Sequence, residues 1–294
     1  MAAAESAQPA RAGLSPSERR AWTEQGFFFR EAAFAPAELA ALSAAAEAVV
    51  RRAEAGLEAG GERYAVDGNT YVELQLAGRT ATVQLEHAPG SRTVRVIEPF
   101  HALDPLFERL VDDPRIVAPM CELIGTPRVA LFTDKLNLKR PREGSRFQWH
   151  QDSPYWAHFC RHLDRLPNVM LTLDAADASN GCFRLIPGSH RHGLLPGRQG
   201  EGVLGPLFTH PDHFDESRAV AAEVPAGSLV FFSPHSVHGS LPNRSERPRR
   251  ALVLTYQPAG FRMFKEDRVR TCGRRDDDEP GRERMRAACG RRDR

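Results

Sequence analysis

The second half of the chain is a succession of short apolar stretches separated by turns rich in glycine, proline and asparagine. From Val129 onward these stretches are VALFTDKLNL, RFQWHQD, NVMLTLDA, CFRLIPGS, AVAAEVP, SLVFFSP and ALVLTYQP. Many short strands at close intervals are typical of a β-sandwich or a jelly-roll barrel. The pattern therefore predicts a mainly β fold for this half of the protein.

The first half predicts helices as well as strands. Ser15 as N-cap, Pro16 at the first helical position and Glu18 in a capping box predict a helix that ends at Gly26. Apolar residues at helical spacing predict a longer helix from Pro36 to about Ala55. The other predicted elements are a strand at FFFR, a hairpin of TYVELQL and TATVQLE, a strand at RTVRVIEP, and short helices near Pro105 to Val111 and Pro114 to Leu123.

Composition narrows the classes of function. The net charge is +2, which gives no overall field favouring nucleic acid or an anionic membrane. The N-terminus has no apolar core of signal-peptide length, and no apolar run approaches the ~18 residues of a membrane span. Irregular spacing and an odd number favour reduced thiols for the cysteines, which are Cys121, Cys160, Cys182, Cys272 and Cys289. We expect a cytoplasmic protein with a small-molecule substrate, no nucleic-acid partner and no membrane association; nothing in the pattern specifies an oligomeric state.

Four His-x-Asp triplets are candidates for a pair of metal ligands, and they begin at His150, His162, His210 and His213. Residues i and i+2 of a strand point to the same face, so His150 and Asp152 can both enter a barrel from the strand RFQWHQD. Its residues Phe147 and Trp149 favour a strand. The other triplets lie among arginine, proline, aspartate or serine, which are typical of loops. His150 and Asp152 are therefore the candidate pair.

A third ligand from a distant strand would complete a facial triad of two histidines and one carboxylate. Such a triad binds Fe(II) and leaves three coordination positions open. His238 follows the buried strand SLVFF, and three or four strands separate it from Asp152, enough to travel around a jelly roll. His235 is the alternative, although strand alternation would place it on the opposite face. We predict that His150, Asp152 and His238 form the metal site and the catalytic centre.

Several motifs share their order and spacing with a known family. They are the opening helix with GFFF, the stretch DKLNLKRP, the WHQD motif with an aromatic at Trp156, the stretch NGCFRLIPGSHRHG, and HGS followed by Arg249. In these features the chain from about Leu14 to Pro258 resembles the phytanoyl-CoA dioxygenase family of Fe(II)/2-oxoglutarate-dependent oxygenases, which includes ectoine hydroxylases. The resemblance implies a mainly β fold with flanking helices around a double-stranded β-helix, the cupin-like jelly roll.

The resemblance also implies roles for individual residues. Fe(II) is bound by the His150, Asp152 and His238 triad. Arg249 resembles the residue that pairs with the distal carboxylate of 2-oxoglutarate, which a guanidinium grips through two parallel hydrogen bonds. The other implied contacts of the cosubstrate are Ser240, Asn137, Thr133 and Phe147. For the primary substrate, the expected contacts are Trp156 and Gln148.

The implied reaction consumes 2-oxoglutarate and O₂, releases succinate and CO₂, and hydroxylates an unactivated C–H bond of a small metabolite or natural product. A carboxylate at Asp152 favours hydroxylation or desaturation, because related halogenases have a small residue at the matching position and bind chloride there. Two alternatives stay open at this point. One is a cupin-like metal oxygenase or isomerase that uses no 2-oxoglutarate, and the other is a non-catalytic binding protein that keeps the barrel.

We expect one dioxygenase domain over residues 14–260. It comprises a helical and hairpin part at 14–127 and the jelly-roll core at 128–260. Residues 1–13 are expected to be disordered. Residues 261–294 contain 12 basic and 8 acidic residues with few aliphatic ones, and this composition predicts a charged, loosely ordered tail.

Overall fold

Two antiparallel β-sheets form the centre of the protein. The computed structural model describes residues 13–273. Its strands are β1 Phe27–Arg30, β2 Glu62–Val66, β3 Asn69–Leu76, β4 Arg79–Leu85, β5 Val94–Glu98, β6 Val129–Lys139, β7 Phe147–His150, β8 Asn168–Thr172, β9 Phe183–Leu185, β10 Val220–Ala221, β11 Leu229–Phe232, β12 His238–Ser240, β13 Arg249–Pro258 and β14 Arg270–Thr271. Its α-helices are α1 Pro16–Gln25, α2 Pro36–Ala59, α3 Pro105–Leu110, α4 Pro114–Ile124 and α5 Ser153–Trp156.

The strands wind as a double-stranded β-helix. The larger sheet has the order β1-β11-β8-β13-β6-β5-β4-β3-β2 with β14 beside β6, and the smaller sheet has the order β10-β9-β12-β7. From β6 to β9 and from β11 to β13, successive strands alternate between the two sheets. Residues of both sheets line a cavity between them. The predicted fold, a mainly β jelly roll with flanking helices, is confirmed.

The helices cover the outer face of the larger sheet. The α1 capping box forms as predicted, with the Ser15 side chain accepting from the Glu18 amide, and Gly26 ends the helix at a φ of 86°. The apolar face of α2 packs into one large core with residues of α3, α4 and the sheet. It contributes the buried residues Leu39, Leu42, Ala45, Ala46, Val49, Val50, Ala53 and Leu57. This packing fixes the larger sheet and leaves its inner face to line the cavity.

The structure differs from the sequence prediction in the first part of the tail. Residues 261–273 pack against the larger sheet, and Arg270 and Thr271 pair with β6 as β14. Arg270 is 4% exposed, and its guanidinium contacts Glu108 at 2.6 Å and Asp112 at 2.8 Å. A charged composition predicts disorder only when its charges stay solvated, and here they form partly buried ion pairs with α3 and the residues after it. Residues 274–294 and 1–12 lie outside the described residues.

The first and second halves of the chain share the larger sheet. Strand β1 pairs with β11, and β5 pairs with β6. Three strands, β2, β12 and β14, and the one-turn helix α5 escaped the sequence analysis. They are short or strongly polar, so their periodicity is weak. Among the helices of residues 13–273, none is long and apolar enough to cross a bilayer.

Candidate metal centre and cosubstrate pocket

His150, Asp152 and His238 converge between the two sheets. Strands β7 and β12 place His150 directly opposite His238, and their ring centroids are 4.2 Å apart. The Asp152 Oδ1 atom lies 4.0 Å from Nε2 of His150 and 3.9 Å from Nε2 of His238. One potential ligand atom from each residue lies within 4.8 Å of the others, and no second group of this kind occurs in residues 13–273. The arrangement suits a single metal ion.

Backbone carbonyl groups set the orientation of both imidazoles. Nδ1 of His150 lies 2.7 Å from the carbonyl oxygen of Gln148, and Nδ1 of His238 lies 2.9 Å from that of Ser236. A carbonyl only accepts, so Nδ1 carries the proton and Nε2 keeps its lone pair toward Asp152. Burial lowers the pKa of both rings, with a large shift at His150. Both histidines are therefore neutral donors, the form that a metal requires.

Asp152 reaches the site from a turn rather than from a strand. Strand β7 ends at His150, and Asp152 has helical backbone angles, φ −78° and ψ −33°, at the start of α5. Its amide donates to the carbonyl of Pro234 at 3.1 Å. Its Oδ2 accepts a 3.0 Å hydrogen bond from Asn168, whose own oxygen accepts from Thr255 at 2.5 Å. Tertiary contacts, not the expected strand alternation, aim this carboxylate.

The rival histidines have other partners. His235 uses both ring nitrogens, at 2.8 Å from Ser153 and 2.8 Å from Asp164. His162 contacts Gln257 at 3.2 Å. The triplets at 210 and 213 lie in short 3₁₀ turns at the surface. None of these histidines joins the metal-like cluster.

One cavity of about 570 Å³ is lined by every residue that the sequence analysis assigned to the site. Its walls include His150, Asp152, His238, Arg249, Ser240, Asn137, Thr133, Phe147, Gln148 and Trp156. A volume of this size accommodates a small cosubstrate beside a small substrate.

The wall of this cavity contains buried polar atoms without partners. Among the described residues they include Nε of Arg249, Oγ of Ser240, Oδ1 of Asn137 and Nε of Arg95. An unsatisfied buried polar group costs about 1–3 kcal/mol, so four of them together indicate a site that is completed by a polar ligand. A guanidinium and a hydroxyl side by side fit a carboxylate. The residues present therefore fit both Fe(II) and 2-oxoglutarate.

Comparison with known proteins agrees with this geometry. Residues 22–251, most of the chain, match the family model described as phytanoyl-CoA dioxygenase. The protein belongs to the phytanoyl-CoA dioxygenase family. It is an Fe(II)- and 2-oxoglutarate-dependent dioxygenase that uses O₂ as co-reactant.

Relatives of this dioxygenase act on different compounds. L-proline trans-4-hydroxylase of Streptomyces griseoviridis is 32% identical over 188 residues, which are 57% of this chain and 68% of that protein. Ectoine dioxygenase of Bordetella bronchiseptica is 29% identical over 269 residues, which are 83% of this chain and 75% of that protein. A crystal structure of EctD from S. alaskensis with 2-oxoglutarate and 5-hydroxyectoine has a TM-score of 0.62 at 24% identity, covering 85% of this chain and 78% of that one.

Two cations near Arg249, Lys139 and Arg95, escaped the sequence analysis, and of these Arg95 lines the cavity. Lys139 lies opposite Arg249 in the β6–β13 register and is 1% exposed. Its ammonium group donates to the carbonyl of Leu241 and lies 5.6 Å from the ring centroid of Phe147. Burial, followed by the charges of Arg249 and Arg95, lowers the pKa of Lys139 to about 6. The sequence could have pointed to Lys139, because a lysine is unusual in this arginine-rich chain, which has only three.

Arg95 reaches the cavity through an irregularity in β5. Gln84 of β4 pairs with Val96 while Leu85 pairs with Val94, so Arg95 is an extra residue in the ladder. Such a bulge redirects a side chain. The Arg95 guanidinium lies 3.9 Å from the Phe147 ring centroid. Sequence periodicity gives no sign of a bulge, so this residue was not predictable.

The predicted contacts of the primary substrate lie at the cavity wall but differ in character. Trp156 is 2% exposed and packs edge-on against Phe132, with centroids 5.1 Å apart. This is mainly core packing. Gln148 lines the open part of the cavity beside Arg146. Thr133 donates to Glu98 at 3.0 Å, so its hydroxyl is already committed.

Proposed function

We propose that this dioxygenase hydroxylates an unactivated C–H bond of a small metabolite or natural product. In this proposal His150, Asp152 and His238 hold the iron, and Arg249 anchors the distal carboxylate of 2-oxoglutarate. The observation that carries it is the combination, in one cavity, of the three-residue ligand cluster with the unpaired atoms of Arg249 and Ser240. Proline and ectoine, named for the relatives, are molecules of the expected size.

The chain's own residues bind and orient the reactants. Arg249 and the Ser240 hydroxyl donate to the distal carboxylate, and the ammonium group of Lys139, opposite Arg249 in the sheet, adds positive charge nearby. Phe147 lines the same cavity, and its ring centroid lies 3.9 Å from the Arg95 guanidinium and 5.6 Å from the Lys139 ammonium group. The bound iron and 2-oxoglutarate supply the oxidising chemistry, with O₂ as oxidant and succinate and CO₂ as coproducts.

Apolar side chains keep water away from the metal. Phe183 and Phe232 contact the His238 ring, with centroid distances of 5.0 Å and 5.1 Å. Met170 of β8 lines the same wall. Excluding water strengthens the electrostatic contacts and prevents side reactions. The alternative is a cupin-like oxygenase or isomerase that uses no 2-oxoglutarate. In such an enzyme the buried guanidinium of Arg249 would have no carboxylate to bind.

Succinate formation tests the proposal. The purified enzyme with Fe(II), 2-oxoglutarate and O₂ should release succinate, and a library of small metabolites should contain compounds that increase the rate. Arg249→Ala should lose this activity, while Arg142→Ala should keep it, because Arg142 is exposed and pairs with Glu246 at the surface. Absence of 2-oxoglutarate consumption by iron-loaded enzyme with every compound would favour the cupin-like alternative.

We place the enzyme in the cytoplasm, where 2-oxoglutarate is available. The four cysteines among the described residues are all free thiols, in keeping with a reducing compartment. The substrate is a small molecule rather than a macromolecule, because the candidate metal ligands lie in a cavity between the two sheets.

A further inference from the structure

Lys135 has an ammonium group without a committed partner. It lies on β6 between Thr133 and Asn137 and lines the cavity. Within the described residues its Nζ makes no hydrogen bond and no direct ion pair, and its closest aromatic ring is that of Tyr155, 5.9 Å from Nζ to the centroid. The other two lysines differ, since Lys139 donates to a backbone carbonyl and Lys265 contacts a carboxylate.

Glu98 is the carboxylate whose charge acts most strongly on Lys135, and both of its oxygens already accept hydrogen bonds from other residues. One oxygen accepts from Thr133 at 3.0 Å and the other from Lys265 at 3.3 Å. Glu98 and Asp152 both act on Lys135 through their charge. Glu98 therefore serves two ammonium groups, and one positive charge remains in excess.

The assembled centre would not neutralise that charge. Fe(II), the Asp152 carboxylate, the doubly charged 2-oxoglutarate and Arg249 would together carry no net charge, and a proton taken up by Lys139 would add one more positive charge. Lys135 then remains as a half-buried cation in the cavity wall without a paired counterion, and covering it with an uncharged substrate would be costly. An anion that arrives with the primary substrate would remove this cost.

Two tyrosines line the same cavity as Lys135. Tyr71 and Tyr155 both line the cavity, and within the described residues neither hydroxyl has a hydrogen-bond partner. Burial raises the pKa of both phenols, so each stays an O–H donor at neutral pH. An ammonium and two hydroxyl donors without acceptors, all in the wall of one cavity, favour an oxyanion as ligand.

We propose that the primary substrate carries a small oxyanion, such as a carboxylate, which Lys135 binds between Tyr71 and Tyr155. This inference rests on the proposed function and names the substrate class of the same site. Lys135 lines the same cavity as His150, Asp152 and His238, so one small molecule can place its anionic group at Lys135 and a C–H bond at the metal. The one other source of such an anion is the metal-proximal carboxylate of 2-oxoglutarate itself.

The first test needs no variant. A panel of amino acids, cyclic imino acids and hydroxy acids, each paired with its primary amide, is assayed for succinate formation above the substrate-free background. Acids should raise the rate, and each corresponding amide should be at least tenfold less effective. Amides or other uncharged compounds that work as well as the acids would overturn the proposal.

The second test separates substrate from cosubstrate. In Lys135→Met the KM for an active acid should rise at least tenfold, while the affinity for 2-oxoglutarate, read from the charge-transfer band of the anaerobic iron complex, changes less than twofold. Arg142→Met, which removes an exposed charge, should alter neither value. Weaker 2-oxoglutarate binding with an unchanged KM for the acid would assign Lys135 to the cosubstrate and overturn the proposal. Failure of the proposed function is distinct, because the unmutated protein would then show no charge-transfer band.

Discussion

Lys139 and Arg249 occupy directly opposed positions on adjacent antiparallel strands, and both side chains are at most 2% exposed. Like charges in this arrangement repel each other, and burial disfavours the charged form of each. The pKa of Lys139 is lowered to about 6 and that of Arg249 to about 10, in both cases first by burial. At neutral pH Arg249 therefore keeps its charge in the ligand-free protein, while the neighbouring amine of Lys139 is largely neutral.

The affinity for 2-oxoglutarate should consequently fall as pH rises above about 6. The distal carboxylate favours the protonated form of Lys139, so binding takes up a proton that becomes less available at higher pH. The dissociation constant should increase by up to about tenfold per pH unit until the pKa of the bound state is reached. Anaerobic titrations of the iron enzyme from pH 6 to 9 measure this, and Lys139→Met should flatten the profile. A pH-independent affinity in the unmutated enzyme would contradict it.

The same pKa has a consequence for the stability of the ligand-free protein. Between pH 6 and 10.5 the unfolded chain holds a proton on Lys139 that the folded chain has lost. More protons bound in the unfolded state mean that the free energy of unfolding rises with pH in this window. The difference in Tm between the unmutated protein and Lys139→Met should therefore shrink or change sign as pH rises from 6 to 9. A constant difference would show that Lys139 keeps its proton when the pocket is empty.

Arg249 and Arg250 should respond in opposite ways to truncation. Arg249→Ala should raise the KM for 2-oxoglutarate at least tenfold with little change in Tm, because its guanidinium has an unpaired buried nitrogen. Arg250 contacts Asp174 at 2.7 Å and Glu47 at 3.0 Å on the other face of β13. Arg250→Ala should lower the free energy of unfolding by about 1–3 kcal/mol and leave that KM unchanged. Titration and thermal melting of both variants separate the two roles, and exchanged phenotypes would reverse the assignment.

The metal site should contain one Fe(II) per chain. His150→Ala and His238→Ala should abolish iron-dependent turnover, because each removes one of the three atoms that lie within 4.8 Å of one another. His162→Ala and His213→Ala serve as controls with activity close to the unmutated level. Iron analysis together with succinate assays measures both effects. Full activity in either triad variant would exclude that residue as a ligand.

Most secondary-structure elements could be predicted from the sequence, but several contacts that shape the site could not. Capping at Ser15 and the alternation of apolar residues are local signals, and the corresponding elements form where expected. The approach of Asp152 from a turn and the redirection of Arg95 by a bulge depend on partners distant in sequence. Such contacts leave no periodicity in the chain. The proposed anion site at Lys135 could not be predicted for the same reason, because it depends on Glu98 already binding Thr133 and Lys265.

Asp152 should determine the chemical outcome. As an iron ligand its carboxylate would occupy the coordination position that a halide needs, so products made under ¹⁸O₂ should gain one labelled oxygen or lose two hydrogens, and should contain no chlorine. Asp152→Gly should lose most hydroxylation, because a ligand and its negative charge leave the iron, and chlorination should stay low without a repositioned C–H bond. Mass spectrometry with and without chloride checks this. A chlorinated product from the unmutated enzyme would show that Asp152 is not an iron ligand.

Asn168 should act as a positioning residue for the metal. Its amide donates to Asp152 at 3.0 Å and its oxygen accepts from Thr255 at 2.5 Å, so the larger sheet holds the carboxylate that β7 itself does not orient. Loss of such an outer contact commonly weakens metal binding about 10–100-fold. Asn168→Ala should therefore raise the dissociation constant for Fe(II) by this factor, and Thr255→Val should have a smaller effect because it acts through Asn168.

A second buried asparagine supplies the matched control for this prediction. Asn180 is as buried as Asn168 but bonds the backbone of Asp177 and Ala175 in a loop. Asn180→Ala should lower Tm without changing the dissociation constant for Fe(II), which separates loss of packing from loss of ligand orientation. At saturating iron, Asn168→Ala should recover most of its turnover, since Asp152 itself remains. Equal iron affinity in Asn168→Ala and the unmutated enzyme would mean that the hydrogen bond from the Asp152 amide to the Pro234 carbonyl is sufficient to hold the carboxylate in place.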